Sequence, residues 1–275
     1  MRTFILNERQ AQACFFCLMV SVVPGLAHSD PSHSDKHASP SHSMSAAVNS
    51  ADVKILPSAK SVKAGDVIYT FSILDSKQKP VKADDLVIEH EKKLHMLVYD
   101  PSLNEFQHVH PTFESGQWKV PLVFSINGNY WIWFQGKTKD GADFSVPERV
   151  MVSGGKPAHS APPKLIESRQ YSQGPLQVSL GQNEVKAGEE TMITMTISRK
   201  DKVPLKLSPY LGAFAHVVAT PASGDSLIHV HPMNGQKSNE GMIHTKFPSA
   251  GSYKLWIQFE ESGKVVTAPV VIAVK

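Results

Sequence analysis

Thirteen histidines stand in a chain of 275 residues, and six of them form one pattern used twice. His95, His108 and His110 return at an offset of 121 residues as His216, His229 and His231, and both second clusters read His-Val-His-Pro. Residues i and i+2 of a strand point to one face, so each His-Val-His presents two imidazoles together. A hairpin turning through Pro101-Ser102-Leu103-Asn104, with Asp100 paired to Glu105, sets His95 opposite His110. The segment Pro221 to Asp225 offers the second copy a similar turn. Three neutral imidazoles on adjacent strands can hold a divalent metal and leave a coordination position open. Met96 and Met233 are further candidate donors, and imidazole with an optional soft sulfur favours copper over zinc. A one-residue slip in register would bring Met96 to that face instead.

The same residues admit a structural reading, in which half-buried histidines bond to backbone and His-Pro fixes a strand end. Tyrosine, tryptophan, glycine and glutamine recur with them, so the whole scaffold has been kept. Gly128-x-Tyr130-x-x-Trp133-x-Gln135 returns as Gly251-x-Tyr253-x-x-Trp256-x-Gln258. His90, His159 and His244 have no counterpart in the other copy and are expected at the surface. His90-Glu91-Lys92-Lys93-Leu94-His95 imitates a zinc-protease motif, but its histidines are spaced i, i+5 and would not share a helix face. No phosphate loop, nucleophile elbow, dinucleotide fingerprint or paired-carboxylate pattern is present, so catalysis is not expected.

The elements that must position the histidines read as strands. Val67 to Leu74, Leu94 to Tyr99, Tyr130 to Phe134, Thr191 to Ile197 and Tyr253 to Phe259 are short, β-branched or aromatic, and bounded by turn residues. No stretch carries a capped amphipathic helical period. The expected fold is all-β: two tandem immunoglobulin-like or cupredoxin-like β-sandwiches, at 52–153 and 174–275, joined by a linker at 154–173. Trp133 and Trp256 are expected to cover one flank of each sandwich.

The N-terminus points to export. Arg2 and Arg9 precede an apolar run from Ala13 to Val23, and small residues at Gly25 and Ala27 suit cleavage of a signal peptide at 1–27. Both cysteines, Cys14 and Cys17, fall inside it, so the mature chain has no disulfide or thiolate site. Residues 28–51, rich in His, Ser and Pro, read as a disordered tail. Its histidines at 28, 33, 37 and 42, with Met44, could capture metal loosely, and His28 as a new N-terminus could chelate through amine and ring. Lys and Arg total 28 against 25 acids, a net charge of +3 without charge blocks. Nucleic acid and anionic membrane are therefore not expected partners, and no membrane span is expected in the mature chain.

The pattern His95-Met96 … Phe106-Gln107-His108-Val109-His110-Pro111 … Gly128-x-Tyr130-x-x-Trp133 resembles the exported bacterial YtkA-like, cupredoxin-related β-sandwich module. The first copy matches better than the second, where Leu227-Ile228 replaces Phe-Gln and Val217 follows the histidine. The resemblance implies export, a sandwich fold and an association with heavy-metal or copper handling, with His95, His108 and His110, and by extension His216, His229 and His231, as ligands. The resulting expectation is a periplasmic or secreted protein that buffers or delivers copper through one tri-histidine site per repeat. A periplasmic metal-handling or envelope protein is the expected partner. The alternative is a non-catalytic interaction module of the cell envelope with structural histidines.

Overall fold

Alternation of apolar and polar residues produces strands throughout the computed structural model, which describes residues 51–159 and 162–275. The expected signal segment and the tail histidines, His28 among them, lie outside the described residues. The first half contributes β1 (Lys54–Pro57), β2 (Ser61–Lys63), β3 (Gly65–Leu74), β4 (Leu94–Tyr99), β5 (Phe106–Val109), β6 (Thr112–Glu114), β7 (Gln117–Phe124), β8 (Gly128–Lys137) and β9 (Asp143–Ser153). The second half contributes β10 (Gln170–Gln173), β11 (Leu176–Leu180), β12 (Glu190–Arg199), β13 (Leu207–Ser208), β14 (His216–Pro221), β15 (Ile228–Val230), β16 (Met233–Asn234), β17 (Glu240–Lys246), β18 (Gly251–Glu261) and β19 (Lys264–Val274). A single 3-10 turn, Ala83–Asp85, is the one helical element among the described residues.

Each half is a two-sheet sandwich, as expected from the strand spacing. In the first, the sheet β1-β3-β7-β6 faces the sheet β2-β9-β8-β4-β5, and only the β2–β9 pairing is parallel. Tyr69, Phe71, Ile73, Trp118, Val120 and Leu122 from one sheet pack against Met96, Val98, Tyr130, Ile132 and Phe134 from the other. In the second half, β10-β11-β12-β17-β16 covers the sheet β13-β18-β14-β15, with β19 along the other side of β18. Val178, Ile193, Met195, Ile197 and Ile243 close that core on Val217, Ala219, Tyr253, Leu255, Ile257 and Phe259.

The two central strands β4 and β14 are buried along nearly their whole length, β4 at all six residues. A strand buried on both faces has a second partner layer, and here that layer is the other sandwich. Leu97, Tyr99, Leu103 and Trp133 of the first half pack with Val218 and Trp256 of the second. Trp133 and Trp256 thus fill the seam between the modules rather than an isolated flank. Tyr99 donates to the Gly224 carbonyl at 2.6 Å and accepts from Trp133 Nε1 at 2.7 Å. Gly224, at φ +72°, lets the second module's turn approach so closely that a Cβ there would lie 2.7 Å from the Trp131 ring nitrogen.

Candidate metal centre

Register decides which side chains share the seam. β4 and β5 pair as Met96↔Val109, Leu97↔His108 and Tyr99↔Phe106, the alignment that sets His95 beside His110. β14 and β15 pair as Val217↔Val230 and Val218↔His229, the same alignment in the second copy. The first turn is fixed by the buried Asp100 carboxylate, which accepts from the backbone N–H groups of Ser102, Asn104 and Glu105 at 3.0, 2.6 and 2.8 Å. His95, Leu97 and Tyr99 therefore face the seam, while Met96 and Val98 face the first core. Met96 is thus turned away from the imidazoles. Met233 sits on β16 across from Met242, 37% exposed, on the other sheet of its sandwich.

The six repeated histidines form one cluster rather than two separate sites. Ring centroids of His108 lie 5.6 Å from His216 and 5.3 Å from His229, and His95 lies 5.9 Å from His229. Donor nitrogens of His95, His108 and His110 fall within 4.8 Å of one another, and so do those of His108, His216 and His229. A small cavity of about 40 Å³ opens beside them, lined in part by Glu89, His90, His95, Gln135, His229 and His231.

The hydrogen bonds fix which nitrogen of each ring faces the cluster. His95 Nε2 lies 3.1 Å from the Glu89 carbonyl, which can only accept, so the N–H is at Nε2 and Nδ1 is a bare lone pair. His216 repeats this with the Tyr210 carbonyl at 3.0 Å. His108 Nδ1 lies 2.9 Å from Gln258 Oε1, whose amide is oriented by donation from Gln258 Nε2 to Thr267 Oγ1 at 3.0 Å. His229 Nδ1 meets Gln135 Oε1 at 2.9 Å, with Gln135 Nε2 donating to Ser145 Oγ at 3.0 Å. With Nδ1 engaged by the glutamines, His108 and His229 turn Nε2 toward the cluster. Two pairs of ring nitrogens therefore face each other: His95 Nδ1 and His108 Nε2 at 3.1 Å, and His216 Nδ1 and His229 Nε2 at 3.3 Å. Bonds of about 2.0–2.1 Å to a tetrahedral metal place two donor nitrogens about 3.3–3.4 Å apart.

Burial holds these rings neutral. Burial, reinforced by the neighbouring imidazoles, pushes His110 and His216 down to about 3 and His231 to about 2. Burial brings His95 to about 4, although the Glu89 carbonyl favours its charged form. His108 and His229 lie well below the usual histidine value for the same reason. His110 Nε2 and both ring nitrogens of His231 are buried without a hydrogen-bond partner. Buried polar atoms normally have partners, so these orphans mark His110 and His231 as rings able to offer a further nitrogen beside the cluster.

His90 corrects its expected place at the surface. It stacks on His231 with centroids 3.5 Å apart and lies 5.7 Å from His216. Its turn bridges Glu89 to Lys92 with φ of 48° at His90 and 67° at Glu91, and that conformation carries the ring across to the other module. The matching turn of the second copy, Tyr210 to Ala213, has Leu211 at that position. His159 is exposed, and His244 is partly exposed beside Glu190 at 3.4 Å. Gln135 and Gln258 are the functional positions to which no chemistry was attached from sequence. Their signal was recurrence beside the repeated tryptophans.

Among the described residues no helix is long and apolar enough to cross a membrane. Tandem all-β sandwiches meeting at a histidine-filled seam define the class of this molecule. Residues 170–275, the second sandwich, match the model of a domain of unknown function, DUF8832. No curated protein matches the chain in sequence. Similar solved structures include Escherichia coli alpha-2-macroglobulin activated by porcine elastase, 12% identical over 84% of this chain and 22% of that one, with a TM-score of 0.25. The fibronectin(III)-like modules of Clostridium thermocellum CbhA are 11% identical over 81% of this chain and 94% of theirs, at 0.22. The Yersinia pseudotuberculosis adhesin InvE is 14% identical over 80% and 58%, at 0.25. This chain spans less than a quarter of the macroglobulin, and likenesses at these scores bear on no activity.

Proposed function

We propose that this is an exported metal-binding protein that buffers or delivers a divalent ion held by the seam histidines, without catalysing a reaction. The observation that supports it most is the convergence of ring nitrogens in the seam, with those of His95, His108 and His110 within 4.8 Å of one another and those of His108, His216 and His229 likewise. The facing nitrogens at 3.1 and 3.3 Å lie close to the separation of two ligands on one tetrahedral ion. Copper is the preferred ion, with zinc as the alternative. The thioether argument is lost with Met96 and Met233 turned elsewhere, but imidazole sites bind copper(II) more tightly than the other first-row divalent ions. Export rests on the N-terminal sequence, and a periplasmic metal-handling or envelope protein would donate or receive the ion.

A second reading is a tandem interaction module with structural histidines. The hydrogen bonds from His108 and His229 to glutamines of the opposite sandwich favour it. His110 separates the two readings, because its buried Nε2 makes no hydrogen bond to lose. His110→Phe keeps a ring of similar size and removes the donor. The metal reading expects weakened copper or zinc binding, followed by titration against a competing chelator, with the apo melting temperature nearly unchanged. Unaltered binding, or a large loss of apo stability with no metal effect, would support the structural reading instead.

A further inference from the structure

We infer that the two sandwiches hold one ion jointly, instead of one ion each, and that this ion clamps the modules together. The inference rests on the metal-binding reading above and concerns where the ion sits and what it controls. The two donor triads, His95/His108/His110 and His108/His216/His229, share His108. The Nδ1 of that ring is engaged by Gln258, so Nε2 is the single ligand atom it can offer to either triad. One lone pair binds one ion, so the triads are alternatives and not independent sites.

Charge balance supports the same conclusion. Six neutral imidazoles bring no negative charge to offset two dications a few ångströms apart in a buried seam. Glu89 and Asp143 at the cavity edge are engaged by Lys137 at 3.3 and 3.4 Å.

The orienting groups are crossed between modules. Gln258 of the second sandwich engages Nδ1 of His108 in the first, and Gln135 of the first engages Nδ1 of His229 in the second. Neither glutamine touches the donor nitrogens, so both are positioning residues acting through a histidine. The triad His108/His216/His229 is complete only when the sandwiches are docked. Docking and ion affinity are therefore linked: the ion stabilises the closed arrangement, and opening the seam releases the ion. A shared histidine also gives the ion a path from one triad to the other without leaving the seam.

The test uses the full mature chain with His28, His33, His37 and His42 replaced by asparagine, so that the tail contributes no donors. Copper(II) and zinc(II) are titrated separately against a chelator, and bound metal is counted after gel filtration. One ion per chain is expected. His95→Asn and His229→Asn, in different modules, should each weaken that same ion. Gln258→Leu should lower affinity about ten- to hundred-fold, and Gln258→Glu, which still accepts the Nδ1 proton, should restore it. A general loosening caused by any substitution at this buried position would weaken binding in both variants and would not spare the glutamate one. Two ions per chain, each lost to substitutions in its own module, would overturn the shared site and leave metal binding standing. One ion indifferent to Gln258 and to the second module's histidines would overturn the clamp. No binding of either metal would overturn both readings.

Discussion

A neutral imidazole has one proton to give, and its destination decides whether the ring can accept a metal. In this seam His95 and His216 give theirs to backbone carbonyls, leaving Nδ1 of each bare, and glutamines engage Nδ1 of His108 and His229 so that Nε2 faces those bare nitrogens. The same burial makes the metal-free protein sensitive to acid. Folded values of about 4 for His95 and about 3 for His110 and His216 lie below the ordinary 6.5, so the unfolded chain binds more protons in acid. That stability is fully present above about pH 6.5 and is lost as pH falls toward the folded values. The slope approaches about 1.4 kcal/mol per pH unit for each ring held neutral. Urea midpoints of the apo protein should therefore drop between about pH 6.5 and about pH 5, and a flat profile there would contradict a neutral cluster. Tyr99→Phe removes the donor to Gly224 and the acceptor for Trp133 Nε1. Its expected cost is about 1–3 kcal/mol, read from the same midpoints at neutral pH. Of these roles, sequence showed the histidines by type and recurrence, but not His90, whose contacts belong to the other module.

At the scale of elements, the β4–β5 and β14–β15 hairpins do the positioning. Alternation put His95 and Met96 on opposite faces, and the Asp100 turn selected which face meets the seam. The carboxylate satisfies three backbone N–H groups, so Asp100→Ala should cost about 2–3 kcal/mol and loosen the hairpin. Hydrogen exchange at Asn104 and Glu105 is expected to quicken, and unchanged protection would mean that the turn holds itself. The hairpin register was legible because turn residues and histidine spacing agreed on it. The repeated tyrosines were legible only as scaffold, and that is their role: Tyr130 accepts from Ile126 N–H and Tyr253 donates to the Ser249 carbonyl, each four residues upstream. The repeated glutamines looked equally like scaffold, because their partners lie 150 and 94 residues away.

At the scale of the whole molecule, the seam converts two sandwiches into one unit. Trp256 stacks with Phe106 at 4.5 Å and with Tyr99 at 5.5 Å across the boundary and is 2% exposed. Trp256→Ala should cost about 3–5 kcal/mol, and because the loss falls on the interface, the modules should uncouple. Calorimetry is expected to show one apo transition for the natural chain and two for the variant. A single transition shifted downward without splitting would mean that the sandwiches stay coupled through the histidine and glutamine contacts alone.

The amino-acid sequence by itself determined the all-β class, the strands, the internal repeat and the register that gathers three histidines on each hairpin. These follow from period-two alternation and local turn chemistry, which are written in neighbouring residues. Only the tertiary structure decided that the two triads meet, that Trp133 and Trp256 fill a seam, and that each module's glutamine bonds to a histidine of the other. No local pattern carries that information. It arises because β4 and β14 each bury a second face, and each covers that face with the matching one on the other sandwich.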